Sequence, residues 1–242
     1  MAVRQIRVSP VVNQDQHADS DVIFNCVPIE LPTNGACKLL GIQVVDRAEN
    51  TENNGSMQLS FWNEDITLGT LNATAGTVTA MQARDSLIAF IPIRGASRTT
   101  QDDFDNFTVA DTRTANVAST TVQPTPAQPM VLQPKAGSRT VYMAGIVGPD
   151  NDVPTFTGST GVLVNGAVLL GGSEKIAVDT VDATLHFKAG DTVVDVDDNV
   201  VGVIESVTAT QITLTALTAH ALADNEELFT PHSLSFKLDI EY

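Results

Sequence analysis

Asp195, Asp197, Asp198 and Asn199 crowd several oxygen donors into one short turn, the ligand type that a hard cation such as calcium takes. A helix-flanked calcium loop also needs a glycine at its sixth position and a well-placed bidentate glutamate. Neither stands here, so Asp195, Asp197 and Asn199 are metal-ligand candidates set against a simpler reading, an acidic turn facing water. Asp102, Asp103, Asp105 and Asn106 form a second cluster of the same kind, with the same two readings. Neither cluster resembles a catalytic carboxylate pair, because nothing nearby would raise one pKa and leave its neighbour low.

The other reactive residue types are scattered. His17, His186, His220 and His232 show no HxxxH or HExxH spacing, no serine sits in a GxSxG elbow, and no glycine loop precedes a lysine in the phosphate-cradling pattern. Gly158-Ser159-Thr160-Gly161 reads as a turn. Cys26 and Cys37 have neither the pairing of a disulfide framework nor the CxxC spacing of a zinc site, and read as two free thiols. Trp62, the sole tryptophan, falls on the polar side of its strand, where it is either a platform for a ligand or partner or a ring tucked under a loop. These patterns predict no catalytic residue, no cofactor and no enzyme.

The chain that must position these residues is β-rich. Helical periodicity is almost absent, while Thr, Val, Ile and glycine-bearing turns recur over all 242 residues. Thirteen basic against twenty-nine acidic residues give a formal charge of −16, which repels phosphate and argues against nucleic acid as a partner. The first residues lack the apolar core of a signal peptide and no window approaches a membrane span, so a soluble protein made in the cytoplasm is expected.

The most regular stretch is 187–215. Three β-rich runs, 187–196, 200–207 and 211–215, are separated by turns at 197–199 and 208–210, the pattern of adjacent antiparallel strands. Asn165-Gly166, between 161–164 and 167–170, carries the strongest hairpin signal. With 174–178, residues 150–230 hold six or seven short strands, enough for a small barrel, and 219–228 has room for one helical turn. Before it, strands are expected at 3–8, 21–27, 36–45, 56–64, 86–93 and 139–147. The plainest pairing puts 56–64 beside 36–45. Residues 66–79 read as shallow strands, 78–84 as a weakly signalled helix, and 86–93 as a central strand leaving its sheet at Pro92. Pro28 and Pro32 mark a loop or an edge. Residues 95–135, polar and ending in Pro124, Pro126, Pro129 and Pro134, read as an extended arm, a functional loop or a partly unstructured segment.

At the far end Leu234, Phe236, Leu238, Ile240 and Tyr242 alternate with Ser235, Lys237, Asp239 and Glu241, a half-buried strand whose expected partner is 139–147. The architecture predicted is all-β. A jelly-roll-like β-sandwich scaffold at 1–148, completed by 232–242, carries an inserted small β-barrel at 149–231.

Phe187, Gly190, Asp191 and Val193, followed by Gly202, Ile204, Ser206-Val207, Thr210, Ile212 and Leu214, form a motif that resembles the small β-barrel modules of tailed-bacteriophage structural proteins. The acidic, Thr/Val/Gly-rich scaffold is similar to phage capsid decoration, or cement, proteins. The resemblance implies a virion structural protein on the capsid exterior, a homotrimer bound to the major capsid protein, with the barrel projecting outward and 1–13 and 95–135 as contacting arms. A head- or tail-fibre module reading host-surface glycans is the alternative.

Overall fold

A computed structural model describes residues 2–13, 15–32, 35–46, 56–93, 99–100, 108–111, 130–148, 160–231 and 234–242. Strands run in chain order as β1 (Val3–Val8), β2 (Val22–Glu30), β3 (Cys37–Asp46), β4 (Met57–Trp62), helix α1 (Ala80–Ser86), β5 (Leu87–Ile93), β6 (Thr99–Thr100), β7 (Thr108–Asp111), β8 (Met130–Leu132) and β9 (Thr140–Val147). They continue as β10 (Leu163–Val164), β11 (Lys175–Asp179), β12 (Thr192–Val194), β13 (Val200–Thr208), β14 (Gln211–Leu214) and β15 (Leu234–Glu241). The chain divides into two units, Met1–Phe156 with Leu234–Tyr242, and Thr157–Ser233.

In the first unit, alternating strands must bury one face, and two sheets do this against each other. One has the order β1-β15-β3-β7-β6, with β8 on the other half of β3's free edge; the second has the order β2-β9-β4-β5. Every pairing is antiparallel. Successive strands β1 to β4 switch sheets at each step, β4 and β5 stay together, and β9 and β15 insert between earlier strands. This is the double Greek-key path of a jelly roll. Phe24, Phe61, Phe236, Met57 and Met143 fill the space between the sheets, with the Phe24 and Phe236 rings 5.4 Å apart. Gly145 is required there, because a Cβ on it would lie 2.4 Å from Cε1 of Phe24.

Strand β15 follows its sequence pattern. Leu234, Phe236, Leu238 and Ile240 are fully buried, while Lys237, Asp239 and Glu241 face away from the core. Burial of such side chains contributes about 1.5–3 kcal/mol each. Its neighbours are β1 and β3, however, and not the expected 139–147, which forms β9 in the opposite sheet. Likewise β4 pairs with β9 and β5 and not with β3. Alternation identifies a half-buried strand and cannot say which of two sheets it joins.

Three further expectations need correction. Residues 66–79 form no strand. They cross the outer face of the second sheet, touching the start of β2 and the residue before it through single bridges at Val22–Leu71 and Asp21–Thr74. The 86–93 strand is an edge and not central, which explains how Pro92 is accommodated; β2 also runs through Pro28 as an edge strand. Helix α1 starts two residues later than read, behind a capping box in which Thr79 and Gln82 satisfy each other's main-chain N–H groups.

The second unit is a five-stranded half-barrel of order β10-β11-β14-β13-β12. Segment 226–229 bonds to both of its edge strands, at Val164 on one side and Val194 on the other. Ile176, Ile204, Ile212, Leu214 and Leu228 form its core. The Phe-x-x-Gly-Asp-x-Val motif is a turn device. Phe187 and Val193 are buried, Gly190 takes a φ of 90°, and Asp191 accepts from the Lys188 amide at 3.1 Å. Gly166 also has positive φ, but the expected hairpin does not form: β10 pairs with β11, and Val168 bridges to Leu222. The 219–228 stretch has no helical turn; it is bridged at Leu222 and Glu227, with a tight turn at Asp224-Asn225 between them.

Candidate functional site

The turn joining β12 to β13 brings Asp195, Asp197, Asp198 and Asn199 together, with unlike surroundings. The Asp195 carboxylate is buried and accepts the amides of Asp197 (2.9 Å) and Asn199 (2.8 Å) and the Asn199 side-chain amide (3.0 Å). Asp198 adopts a φ of 63°, a conformation an aspartate tolerates in a tight turn. The Asp197 side chain is exposed. Asp195 therefore spends its oxygens on the turn's own donors, and Asn199 presents an N–H to it. His220 adds Nδ1 at 2.8 Å from the second Asp195 oxygen, in a direction that makes an ion pair when the ring is protonated and not a directed hydrogen bond. Sequence spacing could not pair residues 195 and 220; the half-barrel does.

Among the described residues no group of three or more His, Cys, Asp and Glu side chains converges as a metal site would require. Asp102, Asp103, Asp105, Asn106 and His232 lie outside the described residues. His186 closes the short turn at Ala183–Leu185, and His17 is fully buried between β1 and β2. Burial holds His17 below its ordinary pKa, against opposing contributions from the Asp15 main chain and the Asp21 and Asp15 carboxylates. Both cysteines are free, and burial pushes the Cys26 thiol up to about 11. Trp62 is only 3% exposed, beneath Ile66, Leu68 and partners from 71–83, with its indole N–H on Ser60 Oγ at 2.8 Å. It is the ring tucked under a loop. No described helix is long and apolar enough to cross a membrane.

The feature that spacing did not disclose is a groove of about 440 Å³ in the first unit, where the edge strands of the two sheets, β1 and β2, run beside each other. Its floor is apolar, from Ile6 and Val8 on β1 and Val27 and Ile29 on β2. Its rim carries Arg4, Arg7 and Glu30. Glu30 accepts from Thr140 Oγ1 at 2.6 Å, and Arg7 Nε donates to Ser235 Oγ at 2.9 Å. The Arg4 guanidinium makes no ion pair or hydrogen bond among the described residues. Residues 3–8, expected also as part of a contacting arm, are thus a sheet strand whose outer edge borders a groove.

No protein-family model, curated protein or solved structure matches the chain.

Proposed function

We propose that this chain is a non-enzymatic virion structural protein, a decoration or cement protein that binds the major capsid protein on the outer surface of a tailed-phage head as a homotrimer. The observation that supports the reading is the architecture. A jelly roll, a fold recurrent in viral capsid proteins, accepts a compact half-barrel between its last two strands, and the half-barrel bears the motif that resembles phage structural modules. Cement action has a simple thermodynamic basis: a protein that binds the assembled shell and not free subunits stabilises the shell by mass action, and bridging several subunits multiplies the effect. Jelly rolls also serve sugar-binding proteins, which stack rings on exposed aromatics. The only tryptophan here is buried, so the glycan-reading alternative has no support from it.

The test is the mass of the purified protein in solution together with its sedimentation alongside DNA-free expanded heads built from the major capsid protein encoded with it. A trimer that pellets with heads is expected. A monomer that stays in the supernatant with heads present would sink the proposal.

A further inference from the structure

We propose that the outer edge of β1 and the groove beside it receive an extended, carboxylate-bearing peptide segment of another protein, which adds as a further strand to the first sheet. The inference stands independently of the virion role.

Hydrogen-bond parity identifies the free groups. Ala2 and Tyr242 exchange both main-chain bonds at 3.1 Å, which fixes the alternation along β1. Arg4, Ile6 and Val8 turn their N–H and C=O groups toward β15, and Val3, Gln5 and Arg7 turn theirs to the open edge. Unpaired donors and acceptors at strand spacing are a template for another strand. Both edges of the second sheet are guarded. β2 carries Pro28, which lacks an N–H, and its start is bonded by 72–73; β5 carries Pro92. β1 has no proline, and its register with β15 runs without a bulge.

Side chains choose the occupant. Ile6 and Val8 point to the same side as the buried residues opposite them, Leu238 and Phe236, so an added strand would set alternate residues over the apolar floor shared with Val27 and Ile29. Those side chains should be apolar. Outward, Arg7 stands directly opposite Lys237 on β15, two like charges that an acidic neighbour would relieve. These are two of the thirteen basic residues in a chain of net charge −16; Arg4, opposite the buried Ile240, lies on the face of Ile6 and Val8. A second copy fits less well, because antiparallel self-pairing about Gln5 sets Arg4 opposite Ile6 of the other copy and leaves Arg7 opposite Val3 with no acidic partner. Nucleic acid would leave the apolar floor and the main-chain edge unused.

The probe is a fluorescein-labelled peptide of about eight alternating Val and Glu residues, capped at both ends and long enough to span β1 at about 3.3 Å per residue. A Val-Lys peptide is its control. Fluorescence anisotropy with the full chain is expected to show saturable binding of the Val-Glu peptide only, weakening as salt rises. Gln5→Pro removes an outward N–H without touching the ladder to β15, and should weaken binding about tenfold or more while Trp62 emission stays native. If that variant does not fold, the double change Arg7→Glu with Lys237→Glu, both on the outward face, decides the matter by preferring the Val-Lys peptide. Equal affinity for both peptides, undiminished binding to folded Gln5→Pro, unchanged preference after charge reversal, or no binding at millimolar peptide each overturns the proposal. So does a β1-mediated dimer that excludes the peptide.

Discussion

Phe236→Ala tests the placement of β15 most directly. The ring is fully buried, lies opposite Val8 on one neighbouring strand and Val44 on the other, and contacts Phe24 at 5.4 Å. Truncating a buried phenylalanine to alanine costs about 3–5 kcal/mol, through lost transfer energy and the cavity left behind. The tilted contact with Phe24 places this site toward the middle of that range or above it, near 4 kcal/mol. Domains are stable by about 5–15 kcal/mol, so the loss is a large fraction of the total. With a guanidinium m-value of about 4 kcal/mol/M, the midpoint falls by about 1 M and the slope stays unchanged. Trp62 emission is the probe, because the only tryptophan is buried in the same unit. Tyr242→Ala is the matched control. Its side chain is 43% exposed just past the strand, and the change should cost under about 0.5 kcal/mol. A midpoint shift below about 0.3 M for Phe236→Ala, or equal shifts for both variants, would refute β15 as an interior strand of the sandwich.

Asp195→Ala should destabilise the half-barrel by about 2–4 kcal/mol, because three donors lose a buried charged acceptor, and amide exchange at Asp197 and Asn199 should accelerate. Cys26, with its pKa raised to about 11, should react slowly with a disulfide reagent at pH 8 in the native chain and at the normal rate once unfolded. His17 makes stability pH-dependent in a definite direction. Its folded pKa lies below the ordinary 6.5, so the unfolded chain binds more protons in the window between the two values. Stability is therefore fully present above pH 6.5 and is lost as pH falls through that window; denaturation midpoints measured across it in wild type and His17→Gln should show a steeper fall in wild type.

Local pattern carried much of this fold. The alternation of 234–241, the three runs of the half-barrel and the turns between them are visible in one dimension because each strand has one wet and one dry face. Pairing across the sandwich was not visible. The strands 36–45 and 56–64 read as neighbours, yet their residues Val44 and Phe61 reach the common core from opposite sheets. Of the two readings of Trp62, the structure shows the ring under a loop: its side of β4 looks polar in sequence, and the segment carrying Ile66 and Leu68 covers it. Asn165-Gly166 supplied the turn conformation, but β11 took the strand that precedes it, and Val168 beyond it bridges to Leu222. The Thr79 and Gln82 spacing of a capping box is the signal that would have placed the helix start at Ala80, where apolar spacing set it two residues early. At the β1 groove the signal was faint, two arginines on an edge strand of an acidic chain, and their importance depends on which edge lies open.

The position of β15 bears on how the protein is made. Gln5 bonds Asp239 across a separation of 234 residues, and β15 leaves the ribosome only after the whole half-barrel has been synthesised. Until then β1 and β3 lack the strand that belongs between them, and a nascent sandwich exposes Val8, Ile42 and Val44 to whatever else is nearby. The half-barrel has its own core and can fold first. A slow closing step after synthesis, in which a late strand must find a slot between two early ones, follows from this order, and chaperone dependence should concentrate on the sandwich.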